Sequence, residues 1–275
     1  MRRDPRLVGA LLVLGGIVAA ALLWPAVFGS GNGALTDIVA RRFVAPFGHT
    51  PDGGLHLAGT DRFGRDLLGR LFVAARVSLA VGVLAALVSA VAGVAIGAIG
   101  GWAGGLTDRA LAALTDAMLA VPRVPLILLL AAAFQPGVTL TIAAIGLTGW
   151  MSVARLVRAD VRSLRRRDFV DAARALGVAP PRLVARHVLP HAAGPALVAT
   201  ALGVGNAIML EAGLSFLGLG VQPPTPSWGN MIAAGRDALV VAPWVALGPA
   251  TLVVLVVLAA SLIADAIEAR LAGER

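Results

Sequence analysis

Residues 155–191 read RLVRADVRSLRRRDFVDAARALGVAPPRLVARHVLPH, where nine arginines face only three acids, Asp160, Asp168 and Asp171. Long apolar segments lie on both sides of this basic island. Within it, Asp168 is placed to cap a helix, and Asp171 three residues on puts a second carboxylate in the first turn. Gly177 stands where a left-handed C-cap would end that helix. Pro180 and Pro181 can open a second short helix from its first positions, and Pro190 is expected to close it. The pattern predicts a helix–Gly turn–helix hairpin. Helices of two turns are marginal alone in water, and Ala172 and Ala173 give the first one a small-residue face suited to close approach. The island reads as a docking element.

Composition says what it is set into. The chain has 275 residues, 58% of them hydrophobic and 14% charged, with mean hydropathy +0.87, which indicates an integral membrane protein of all-α class. The net charge of +8 does not mark a nucleic-acid partner, because the arginines cluster between apolar runs and signal topology instead. All 23 basic residues are Arg and none is Lys. A Walker A phosphate loop needs its Lys, so the chain supplies no standard ATP site of its own. With no Cys there is no disulfide, thiol nucleophile or thiolate metal site.

Six spans are expected. Arg2, Arg3 and Arg6 precede an apolar run at 7–28, too long for the core of a signal peptide and long enough to cross a bilayer; it is read as an uncleaved anchor. A polar loop at 29–77 follows, with Asp37, Asp52, Asp61 and Asp66. His49 and His56 lie near Asp52, but three loosely spaced ligands on a Gly/Pro loop favour a solvated loop over a metal site. Asp66 and Arg70 stand at i,i+4 spacing and are expected to pair. The second span, about 78–101, carries Ser89, Gly93 and Gly97 at four-residue intervals, which lets helices approach closely in lipid. The third, about 110–134, contains Asp116 and a kink where Pro122 and Pro125 bracket Arg123. On a straight helix Arg123 lies about 20 Å along, at a depth where a charge must face a cavity or a partner. The fourth span, about 138–157, runs into the island. The fifth, about 193–214, carries Asn206 and Glu211, and the sixth covers about 244–266. Asp116, Arg123, Asn206 and Glu211 are therefore candidates for the translocation path or the helix seams, with Asp116 seven residues from Arg123 a candidate ion-pair partner and Glu211 either facing the bundle or snorkelling to water. The core is thus residues 78–275, with loops at 159–191 and 215–243.

Three motifs carry a resemblance. Asp171-Ala-Ala, three residues, Gly177, and Pro190 thirteen residues later resemble the "EAA" loop of ATP-binding-cassette importer permeases, with Asp171 in place of Glu and His187 where Ile is common. GTDRFGRD (59–66) with the following Arg76-Val-Ser-Leu, and EAGLSFLGLGVQPPTPSWGNMI (211–232), resemble the dipeptide, oligopeptide and nickel branch of that family, specifically the second permease type of its pair. The resemblance implies a type I importer permease fold. It also implies that the island is the cytoplasmic coupling element, with ATPase contact through Asp168, Asp171, Ala172, Ala173, Leu176, Gly177, Arg186 and Pro190. It puts Asp61, Gly64, Arg65, Asp66, Ser215, Pro224, Trp228 and Gly229 on the external side, where a substrate-binding protein docks; Trp228 is also suited to anchor at the interface. The implied partners are a second, related permease, two cytoplasmic ATPase subunits that hold ATP and Mg, and the binding protein, around a bacterial or archaeal cytoplasmic (inner) membrane. No nucleic acid, metal or cofactor of this chain's own is implied.

Orientation has independent support. A cytoplasmic island puts both termini inside, together with Arg2, Arg3, Arg6, Arg270 and Arg275, as the positive-inside bias expects. Six arginines in the first loop run against it, but the nine of the island outweigh them. A secondary transporter would favour inverted repeats, and none is visible. An intramembrane hydrolase lacks a His within a span or a base for Ser215. The reading is a permease subunit without catalytic residues, importing peptides, with nickel as the alternative.

Overall fold

The computed structural model of the protein describes residues 5–27 and 38–273. Arg2, Arg3, Phe28, Asp37 and Arg275 lie outside the described residues. Helix α1 (Pro5–Val27) and the short α2 (Ile38–Arg41) precede a two-stranded antiparallel ribbon, β1 (Gly48–His49) and β2 (Leu55–His56). Then follow α3 (Leu67–Ala103), α4 (Gly105–Ala120), α5 (Arg123–Ala133), α6 (Val138–Leu147) and α7 (Trp150–Leu164). The hairpin helices α8 (Asp168–Ala175) and α9 (Pro180–Leu183) lead through a π-turn at Val184–Val188 into α10 (Leu189–Phe216). Helix α11 (Trp228–Gly235) and α12 (Trp244–Gly273) complete the chain. Five helical stretches are long and apolar enough to cross a membrane, and six if α4 and α5 are one span bent by 81°. The all-α, polytopic reading stands.

Several boundaries differ from the expectation, each for a physical reason. The second span starts at Leu67 because Asp66 caps α3, accepting from Gly69 N at 2.7 Å, and because both early arginines find partners outside the helix. Arg76 donates to Ala21 O at 2.6 Å and Leu22 O at 2.9 Å in α1. Pro25 has no N–H to give Ala21, so the guanidinium replaces the missing donor. The third span does not merely kink: at Val121 and Pro122 the backbone turns extended and the axis breaks. The fourth is interrupted at Thr148 and Gly149, and α7 then runs on to Leu164 because Val153, Val157 and Val161 share one buried face. Pro190 does not end a helix. The π-turn absorbs it, with Leu189 N bonding Val184 O, and residues Pro180–Phe216 run as one helical path.

Helix α3 is the spine, packed against α1, α6, α7 and α10. Its contact with α7 is made by glycines. A Cβ at Gly93 would stand 2.6 Å from Val153 Cβ, one at Gly97 2.5 Å from Ala154 O, and one at Gly101 2.7 Å from Arg158 O. Ser89, one turn before Gly93, donates to Gly146 O of α6 at 2.8 Å. Lipid tails are as apolar as side chains, so close backbone approach rather than hydrophobic burial holds such helices together. Gly97→Ala should lower the thermal unfolding midpoint of the purified protein, by an overpacking penalty of about 1–3 kcal/mol. Gly213→Ala, where a Cβ meets nothing within 4 Å, should not. Equal midpoints for the two variants would refute the seam.

Candidate functional site

The island folds as a hairpin whose inner face is apolar. Val170, Leu183 and Val188 are buried with Val157 and Val161 of α7 in one cluster, so the hairpin is moored to the end of the fourth span. Arg167, not Asp168, is the N-cap of α8: its backbone is extended (φ −87, ψ 147), and Asp168 is already the first helical residue with no capping bond. Both Asp168 and Asp171 still lie in the first turn, where the helix dipole favours them. The helix ends in a Schellman motif, Val178 N to Ala173 O at 3.1 Å and Gly177 N to Arg174 O at 2.9 Å, with Gly177 at φ +81. Ala173 turns partly inward, whereas Asp171, Ala172, Gly177, Arg186 and Pro190 are exposed. Leu176 is 84% exposed at the tip of the turn. An apolar side chain is thus presented at the tip of an arginine-rich hairpin.

At the opposite end of the bundle two carboxylates organise the loop before α3. Asp61 accepts from Phe63 N at 2.8 Å, Arg65 N at 3.0 Å and Arg65 Nε at 2.7 Å, and it pairs with Arg70 at 3.5 Å. The expected Asp66–Arg70 pair therefore does not form, because Asp66 is occupied by the α3 cap and by His56 Nδ1 at 2.9 Å. Gly64 (φ +72) lies so close to Arg41 that a Cβ would stand 2.7 Å from the arginine's own Cβ. Asp52 pairs with Arg41 at 3.4 Å; hydrogen bonding from Thr50 and from its own backbone, and then the Arg41 charge, hold its carboxyl below the ordinary range. His49 is exposed and His56 is held by Asp66 and Thr50. No group of three His, Cys, Asp or Glu that could hold a metal ion occurs among the described residues.

Beneath that loop lies a polar cluster inside the bundle. Glu211 has no exposed surface; its oxygens accept from Ser78 Oγ at 3.1 Å and Ser215 Oγ at 2.7 Å. Ser78 Oγ accepts from Trp228 N at 3.1 Å, and the Trp228 indole donates to Leu71 O at 3.1 Å. Glu211 therefore does not snorkel. Trp228 is not an interfacial anchor either: it is wholly buried, because Gly229 lets α11 approach α10, where a Cβ would meet Ala212 Cα at 2.6 Å. Helix α10 ends in a second Schellman turn at Gly218 (φ +78). Beyond it the cis Pro223–Pro224 bond helps wall an open cleft of about 510 Å³ that Asp61, Arg62, Arg65, Arg70 and Asn230 also line.

The mid-span candidates separate. Asp116 pairs with Arg155 of α7 at 2.8 Å, not with Arg123, and is 65% exposed; the 81° break puts residues 116 and 123 on different helices. Arg123 opens α5 and reaches the interruption of the fourth span. It donates through Nη2 to Ile145 O at 2.9 Å and through Nε to Thr148 Oγ1 at 3.3 Å. Gly149 N, the ordinary i+4 partner of Ile145 O, bonds Gly146 O instead, so Arg123 supplies the shorter of two side-chain hydrogen bonds to that carbonyl, the other coming from Thr148 Oγ1 at 3.4 Å. Asn206 lies on the exposed face of α10 with Leu202 and Met209. Sequence reasoning missed Ser78 and the Asp108–Arg158 pair, bonded at 2.5 and 3.0 Å. A carboxylate and a guanidinium at the arginine-rich ends of consecutive spans were the available signal for the pair.

The model of the family described as "Binding-protein-dependent transport system inner membrane component" matches residues 93–273. The oligopeptide transport system permease protein OppC of Escherichia coli K12 is 40% identical over 210 residues, which cover 76% of this chain and 70% of OppC. The glutathione transport system permease protein GsiD of Escherichia coli O6:K15:H31 is 39% identical over 210 residues, 76% of this chain and 69% of GsiD. Among solved structures, an inward-facing form of the MetNI methionine ABC transporter superposes with TM-score 0.57 and 18% identity, over 76% of this chain and 96% of that one. That likeness shows the fold.

Three substitutions test the geometry. Glu211→Leu strands two serine hydroxyls in the bundle and should destabilise the protein by about 1–3 kcal/mol per unsatisfied group. Glu211→Gln, which keeps an acceptor, should recover most of that loss in a thermal unfolding assay. Arg123→Leu should reduce the yield of folded protein in the membrane, and normal yield and unfolding midpoint would show that Ile145 O needs no such donor.

Proposed function

The chain belongs to the family of binding-protein-dependent transport system inner membrane components, and on that premise we propose that it forms half of the transmembrane pathway of an ATP-driven peptide importer. The carrying observation is the moored hairpin with Leu176 84% exposed at its tip and no described residue over it. A hairpin locked to the fourth and fifth spans through Val170, Leu183 and Val188, with its tip left free, is suited to pass force into the bundle. ATP and Mg bind on two partner ATPases, which this Lys-free chain complements. A second permease completes the path, and an external binding protein delivers substrate to the end where the cleft beside Asp61 opens. The arginine-rich end faces the cytoplasm, with both termini on that side. Peptide is preferred over nickel because the similar permeases are named for oligopeptide and glutathione transport.

Nucleotide-driven closure of the ATPases would shift the hairpin, and the shift would be carried by α10, which is continuous with α9, as a rigid-body movement. Reconstituted with its ATPases, partner permease and binding protein, the complex should accumulate peptides only with ATP, and Ni²⁺ should not be accumulated. Uptake without ATP, or of Ni²⁺ alone, would overturn the reading. A sharper test uses Gly177 (φ +81), where a Cβ would meet nothing of this chain within 4 Å, so within the chain a substitution acts through backbone conformation. Gly177→Val should lose about tenfold in peptide uptake per ATP hydrolysed, since a β-branched residue in that region is disfavoured by about 1–2 kcal/mol. Gly177→Asn, tolerant of positive φ, should transport nearly as the wild type.

A further inference from the structure

At the root of the hairpin lies a cavity that transport coupling does not account for. It has a volume of about 520 Å³, is open to the surface, and is lined by Arg162, Arg165, Arg166 and Arg174 together with Asp108 and Asp171. Four guanidiniums against two carboxylates leave a local charge of 4 − 2 = +2. The acids are already engaged: Asp108 by Arg158 at 2.5 and 3.0 Å, Asp171 by Arg174 at 3.1 Å. Arg165 and Arg166 form no ion pair among the described residues. Arg165 is placed instead by Trp102 and by Gly104: its Cζ lies 5.9 Å from the indole centroid, and its Nη1 is 2.7 Å from where a Gly104 Cβ would be. Arg174 flanks the same indole at 5.1 Å.

Trp102 also lines a second, apolar groove of about 390 Å³ with Ala98, Ile99, Pro180, Pro181 and Val184. Trp102 therefore stands between the two, near the C-terminal end of α3: it lines the groove, and Arg165 and Arg174 of the basic cavity lie over its indole. Tryptophan prefers the headgroup level of a bilayer. Ile99 and Leu106, on either side of it in the chain, are 55% and 82% exposed, as expected where hydrocarbon meets headgroups. Guanidiniums are well matched to phosphate oxygens in bidentate geometry.

We propose that this pair of cavities holds one anionic phospholipid, its phosphate among Arg162, Arg165, Arg166 and Arg174 and an acyl chain in the groove beside Trp102. The lipid would bridge α3, α7 and the hairpin helix α8. The proposal does not depend on what the complex imports. Its test is retention of lipid by the purified full-length chain, taken from nanodiscs of phosphatidylcholine with a minority of phosphatidylglycerol and read by native mass spectrometry. Phosphatidylglycerol should be retained over phosphatidylcholine, and Arg165→Gln/Arg166→Gln should cut its retention by about thirtyfold, as expected of two arginines at a membrane surface. Arg182→Gln, on the exposed side of α9 and outside the cavity, should leave it unchanged. Rising salt should strip the lipid from the wild type; this arm decides the matter if the double variant fails to fold in phosphatidylcholine alone. Undiminished retention by the folded double variant, salt-independent retention, or release of the lipid by inorganic phosphate at ordinary concentrations would each overturn it, the last by showing a site for a free anion.

Discussion

In hydrocarbon a backbone N–H or C=O finds no water, so each one must be paired within the protein. This chain interrupts its spans several times, and side chains or local rewinding answer three of the interruptions. Pro25 opens Ala21 O, and Arg76 of the next span fills it. The break at Thr148 and Gly149 opens Ile145 O, and Arg123 fills it from a third helix. Pro190 removes a donor just where the path widens into a π-turn. Two arginines that would be expensive as free charges in a membrane are thereby turned into backbone donors, and the bundle is stitched at the points where its helices are weakest.

The same logic explains why so much of the interior is small. With α3 pressed against α7 through Gly93, Gly97 and Gly101, there is little room for polar side chains between them. The polar cluster of Glu211, Ser78 and Ser215 sits instead where α10, α3 and α11 meet. The two regions divide the labour. Close helix approach through glycines secures the arginine-rich half, and directional hydrogen bonds secure the loop half, fixing α11 and the proline loop after α10 relative to α3.

Much of this was legible in the residues themselves. Hydropathy indicated an all-α, polytopic membrane protein, Gly177 and the two prolines at 180 and 181 indicated the hairpin, and the small residues of α3 indicated the close seam. What was not legible depended on distance through space. Asp116 and Arg123 are two turns apart on a straight helix, but the extended backbone at Val121 and Pro122 swings them apart and gives each a different partner. Trp228 has the look of an interfacial anchor until Gly229 admits α11 into the bundle and buries it. Pro190 reads as a stop only while one assumes four-residue hydrogen bonding. Spacing along the chain cannot register a turn that is one residue wider.

That wider turn has a mechanical meaning. By bridging α9 and α10 it makes Pro180–Phe216 a single strut of 37 residues, about 55 Å long at the usual rise. A strut of that length, tilted by roughly 10° about one end, swings its far end through about 10 Å. One end carries the tip of the hairpin and the other carries Glu211 and the proline loop. A small movement at the hairpin is therefore multiplied by the length of the strut before it reaches the other face of the membrane.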